Sequence, residues 1–216
     1  MNDCRRIVCL HGLWMPGAGM MYIKHRLEED YGYSVDLFSY APVIETLNDI
    51  AAKLGDFVAA GDQPAHLVGH SLGGVVALRL LALGHPARVA RVVCIGSPLC
   101  GSRAAYRLNQ LDWGNLILGK AVAAGVIGDV AETWASEVAR TTDIGVIAGD
   151  MPVGFGRFVA GFDEPNDGTV AVSETRMRGA KDHLVMPVSH VGMLLSRDVV
   201  DQTAAFLKRG EFLRET

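Results

Sequence analysis

The chain has 216 residues, with 20 Lys+Arg against 24 Asp+Glu, a net charge of −4, half of its residues hydrophobic and a fifth charged. That length supports one substantial core, so a single domain over 1–216 is expected. The mixed charge without a basic stripe argues against nucleic acid as a partner, so none is expected, and no apolar run reaches the ~20 residues of a membrane-spanning helix. Met1-Asn2-Asp3-Cys4-Arg5-Arg6 leads into only four apolar residues, too few for a signal-peptide core. The four cysteines (Cys4, Cys9, Cys94, Cys100) show no C-x-x-C spacing. Cys9 and Cys94 fall in apolar runs, where a thiol acts as a small hydrophobe, so the cysteines read as reduced and the setting as cytoplasmic.

Ile7-Val8-Cys9-Leu10 is a continuous apolar run, as in a strand covered on both faces. Met20, Ile23 and Leu27 recur at helical spacing until Gly32. Val35, Leu37 and Phe38, with Tyr40, predict the second strand, and Ile44, Leu47, Ile50, Leu54, Phe57 and Val58 an amphipathic helix ending by Gly61. Ala65–Val68 predicts a strand, and Val75–Leu83 a central helix ended by Gly84 and Pro86. Arg91–Gly96, Ile144–Ala148 and Leu184–Met186 predict three more strands. Residues 102–142 carry helical apolar spacing broken by glycines, and 152–163 read as an inserted loop or hairpin. Met193, Leu194, Val199, Val200, Ala204 and Leu207 predict a closing amphipathic helix. Strands alternating with helices imply a mostly parallel sheet wound on both sides, with ligands at the C-terminal ends of its strands.

The stretch Gly69-His70-Ser71-Leu72-Gly73-Gly74 links the third strand to its helix. It fits G-x-S-x-G, in which a sharp turn exposes the serine hydroxyl at the sheet edge. Glycines on either side let the helix pass close to the strand, and the helix N-terminus favours a developing negative charge. The bland alternative is a serine that only caps a helix. Sorting the histidines by strand end leaves two at the correct edge: His11, directly after the first strand, and His190, in the loop after the last. His25 falls on a surface helix, His66 starts a strand, His85 lies in a turn and His183 at the opposite sheet end. His70 is expected inside the elbow, turned away from Ser71. His190 is the expected general base, with His11 the minor alternative. Asp150, Asp163 and Asp167 are available as its carboxylate partner; Asp150 directly follows a strand, and Asp167 lies in an Asp-Gly turn 23 residues before His190.

These pieces, with Gly96-Ser97-Pro98, Gly101-Ser102, Asn166-Asp167-Gly168-Thr169-Val170 and Ser189-His190, resemble a small bacterial α/β-hydrolase of the lipase/esterase type, similar to its lipase-like and inositol-deacylase-like branches. The resemblance implies a minimal α/β-hydrolase fold, an about six-stranded, mostly parallel sheet with helices on both faces. It implies a Ser71–Asp167–His190 triad in the family's chain order, with Asp150 the lesser candidate for the acid. It implies that His11-Gly12 opens the oxyanion loop, with Leu13 and Leu72 N–H groups as donors and His11 fixing the loop through hydrogen bonds. Leu-Trp-Met after His-Gly departs from a glycine-rich oxyanion loop.

The expected activity is cleavage of carboxylic esters through an acyl-enzyme, with no cofactor and no metal. A thioesterase with the same triad and a non-catalytic partner-binding protein on this scaffold are the alternatives. Trp14 and Met15 are candidate substrate-binding residues, and 102–142 is a candidate lid over an acyl pocket, although both also fit ordinary core packing. The expected partner is a small-molecule or lipid ester, leaving room for peripheral membrane contact.

Overall fold

In the computed structural model, described residues are 4–13, 15, 17–103, 105, 106, 120, 121, 134, 137–153 and 163–214. Six strands form one sheet: β1 (Arg6–Leu10), β2 (Ser34–Phe38), β3 (Ala65–His70), β4 (Val89–Ile95), β5 (Asp143–Gly149) and β6 (Asp182–Met186). Their order is β2-β1-β3-β4-β5-β6, and every pair is parallel. The expected architecture is therefore present.

Alternation along each strand divides the core into two layers. Val8, Leu10, Leu67, Val92 and Cys94 face a layer completed by Ile50, Leu54 and Val58 of α2 (Leu47–Ala59) and Val75 and Leu78 of α3 (Leu72–Ala82). Ile7, Cys9, Val68, Val93 and Ile95 face the other, with Ile23 and Leu27 of α1 (Met21–Tyr31) and Val200 and Leu207 of a C-terminal helix (Arg197–Arg209). Burial on both faces explains the strands' near-continuous apolar runs. Cys9 and Cys94 lie wholly within these layers, and burial pushes each thiol up to about 12. Neither is in a disulfide.

Besides β2 ending at Phe38, before Tyr40, and β4 and β6 each starting two residues early, two helices differ from the sequence expectation. The second helix begins at Leu47, because the Thr46 side chain accepts from Asp49 N–H and caps it; Ile44 is left outside, 72% exposed. The closing helix is interrupted. Gly192–Leu195 is a 3₁₀ turn, and Ser196 caps a new helix by accepting from Val199 N–H. The short helix Val172–Thr175, between β5 and β6, is α4, which makes Arg197–Arg209 α5. Most of the proposed lid (107–119 and 122–133) and the expected 152–163 insertion, at 154–162, lie outside the described residues. Among the described residues, no helix is long and apolar enough to cross a membrane.

The chain places β2 on one side of β1 and β3 on the other, so the strand order reverses at the β1/β3 junction. A crevice at the C-terminal ends of the strands there is the usual ligand position of such sheets. α3 crosses this junction closely: a Cβ on Gly73 would lie 2.5 Å from Leu10 O and 2.9 Å from His11 O. Both obstacles are backbone, so relief requires moving the helix. Gly73→Ala should cost about 3 kcal/mol or more, at the upper end of overpacking penalties, measured as a lowered urea midpoint or as loss of soluble protein.

Candidate active site

Ser71 joins β3 to α3 at φ 54° and ψ −121°, and is the one non-glycine residue with positive φ among the described residues. Such a conformation costs about 1–3 kcal/mol and persists only where its surroundings enforce it. Here Ser71 N–H donates to Ile95 O at 2.8 Å, and Gly74 N–H donates to Ser71 O at 3.2 Å. A Cβ on Gly69 would collide with the backbone of Gly73 and Gly74. The Ser71 side chain makes no capping hydrogen bond, which removes the reading of this serine as a plain helix cap. It is partly exposed, at the start of an eleven-residue helix.

Asp167 and His190 meet beside the elbow. His190 Nδ1–H donates to Asp167 Oδ2 at 2.7 Å, and His190 N–H donates to Asp167 O at 2.8 Å. The other carboxylate oxygen, Oδ1, accepts from Thr169 N–H at 2.8 Å and Val170 N–H at 2.7 Å. Asp167 is 1% exposed and His190 8%. Both approach the end of β4, since a Cβ on Gly96 would lie 3.2 Å from Asp167 Oδ2 and 3.2 Å from His190 Nδ1. The His190 ring packs on His70, the residue before Ser71, at 4.7 Å between centroids. Among the described residues, the Ser71 hydroxyl makes no hydrogen bond in this conformation; such contacts often tighten only when substrate is bound. Asp150 is exposed, and its N–H donates to Met186 O.

His11 is buried, and its Nδ1–H donates to Gly12 O at 2.8 Å. Its Nε2 accepts from Tyr40 N–H at 3.3 Å, Tyr40 Oη–H donates to His11 O at 2.5 Å, and the rings stack at 4.3 Å. Tyr40 N–H as donor to Nε2 fixes the tautomer, leaving the proton on Nδ1. A trans peptide points its N–H opposite its C=O. Holding Gly12 O against His11 therefore turns Leu13 N–H the other way. Gly12 passes directly over the elbow, because a Cβ there would lie 3.0 Å from Ser71 Cβ. Leu72 N–H is the first of α3, where amides have no intrahelical acceptor.

The remaining histidines lie away from this edge. His25 is exposed on α1, His66 is buried at the start of β3, His85 lies beside Asp56, and His183 pairs with Thr175 Oγ1 early in β6. Met15 is half-buried against the core layer of α1, and Trp14 lies outside the described residues. Sequence reasoning missed three supports. One is Tyr40 on His11. A second is His70 Nε2–H donating to His190 O at 2.9 Å. The third is Glu174, 6% exposed, which accepts from Ala171 N–H at 2.9 Å and Arg103 N–H at 2.7 Å and ties the Asp167 turn to the loop after β4. A glutamate three residues into the apolar Ala171-Val172 segment was the available signal for that last one. Among the described residues, no three His, Cys, Asp or Glu side chains group to hold a metal ion.

A strained serine between strand and helix, on an all-parallel sheet, is the mark of the hydrolase class of α/β folds. The chain belongs to the alpha/beta hydrolase family, whose profile matches residues 7–208. The mature form of Bacillus licheniformis lipase BlEst2 superposes with a TM-score of 0.76 at 20% identity, over 97% of this chain and 93% of that one. The type II thioesterase BorB from the borrelidin biosynthetic cluster superposes at 0.60 with 17% identity, over 96% of this chain and 93% of that one. An 85-residue stretch is 41% identical to a Yersinia enterocolitica protein named "Putative carbamate hydrolase RutD", spanning 38% of this chain and 29% of that relative.

Burial shapes the acid stability of this protein. Desolvation, with the Arg91 charge adding to it, lowers His66 from 6.5 to about 4, and desolvation together with His190 lowers His70 to about 3. The unfolded chain therefore takes up protons below about pH 6.5 that the folded chain refuses. Stability from these two groups is complete above that pH and falls as pH drops toward 4 and below. Melting temperatures measured from pH 8 to 4 should decline through this window. His66→Gln should flatten the decline, and an unchanged slope would exclude His66 as a contributor.

Proposed function

We propose that this protein is a serine hydrolase that cleaves carboxylic esters through an acyl-enzyme. The observation that carries the reading is the buried Asp167–His190 pair, held against the residue that precedes a strained, uncapped Ser71. Ser71 Oγ attacks the ester carbonyl carbon as its proton passes to His190 Nε2. Asp167 holds Nδ1–H and stabilises the imidazolium. Leu13 and Leu72 N–H groups receive the oxyanion, and the dipole of α3 adds to the same field. His190 then protonates the leaving alcohol, and the acyl group remains on Ser71. Water deprotonated by His190 attacks that ester, and the acid leaves as Ser71 regains its proton. Pocket roles for Trp14 and Met15, and a lid from 102–142, belong to this proposal.

A fluorophosphonate probe should label the wild type at Ser71, located by peptide mass spectrometry, and should not label Ser71→Ala. On p-nitrophenyl esters, Ser71→Ala should lower kcat by roughly 10⁶-fold and Asp167→Asn by roughly 10⁴-fold while the chain stays folded. A loss of only a fewfold in Ser71→Ala would remove it as nucleophile. Matched acyl-CoA and ester substrates would separate ester from thioester preference, and a sharp optimum at short acyl chains would count against a lipid pocket.

A further inference from the structure

Three anchors hold His190, and one comes from a residue that the proposed reaction does not use. Asp167 supplies two, accepting the backbone N–H and the Nδ1–H. The third is His70, whose Nε2–H donates to the His190 carbonyl at 2.9 Å across 120 residues of chain. With these made, Nε2 is the one polar atom of His190 left for chemistry. The two rings lie 4.7 Å apart, tilted by 49°.

His70 ends β3, next to Ser71, so the same rigid strand carries the proposed nucleophile and the grip on the proposed base. Donation from Nε2 leaves Nδ1 as a lone pair. Among the described residues Nδ1 is buried with no partner, facing Gly12. Burial above all keeps the His70 ring neutral. A second cation at this distance would oppose the imidazolium that forms on His190 during turnover.

We infer that His70 is a positioning residue for His190: its Nε2–H grips the His190 main-chain carbonyl and sets that imidazole over the elbow. The inference deepens the hydrolase reading and rests on it for the roles of Ser71 and His190. Gln carries its side-chain N–H at about the reach of His Nε2, Asn is too short, and Leu fills space without a donor. His70→Leu and His70→Asn should therefore lower kcat by roughly 10- to 100-fold with KM within about twofold, the size expected of a displaced catalytic group. His70→Gln should recover most of the rate.

A second readout does not need turnover. The low-field proton resonance of His190 Nδ1–H, assigned by its loss in His190→Ala, should stay sharp in the wild type and His70→Gln, and broaden or vanish in His70→Leu and His70→Asn. The inference is overturned if His70→Leu keeps both rate and resonance, or if Gln falls as far as Leu and Asn. If His70→Leu does not fold, the Gln and Asn pair decides by the same criteria. A wild type that neither labels nor hydrolyses ends the hydrolase reading, while the resonance series still reports whether His70 holds His190.

Discussion

The close crossing of α3 over the ends of β1 and β3 is the constraint on which the remaining features depend. It requires backbone where side chains would normally stand, hence glycine at 69 and 73, while Gly74 makes room for the Ser97 and Cys94 side chains at the end of β4. It forces Ser71 into a conformation that a serine avoids. It also brings Gly12 down onto the elbow, so the loop after β1 and the first turn of α3 share one small space. The strain at Ser71 is sustained by two flanking core layers and by strand pairing on both sides of β3.

Around that crossing, polar groups are fixed before any substrate arrives. Asp167 has an acceptor role filled at each oxygen, and its turn is tied through Glu174 to Arg103. Tyr40 from the end of β2 fixes the His11 tautomer, and His11 in turn fixes the Gly12 peptide. In a low-dielectric site, groups already aimed need no reorganisation as charge develops, which is where such sites derive much of their effect. Because the holding residues come from four different strand ends, the aim is a property of the whole sheet.

The strands were legible because both-face burial writes continuous apolar runs, and the elbow because its steric demands fix glycine positions. Strand-end placement left His11 and His190, chain order favoured His190 of the two, and the Asp-Gly turn with its chain order favoured Asp167, which the structure pairs with that imidazole. Less was legible where contacts join distant segments. Nothing local in Gly69-His70-Ser71 says that His70 reaches across 120 residues to a main-chain carbonyl. Tyr40 read as strand, yet it lies beyond β2 and works as a clamp. The helix boundaries at Leu47 and Ser196 were set by hydroxyl caps, a signal one residue wide that apolar periodicity overruns.

Cys9 on β1 and Cys94 on β4 face opposite layers of the sheet, and each is sealed from water. Alkylating reagents act on thiolates, and these two groups stay protonated and enclosed while the sheet is intact. Their modification therefore marks opening of the molecule's centre, one sulfur for each side. Comparing the two alkylation rates under mild denaturation would tell whether the layers come apart together or in turn.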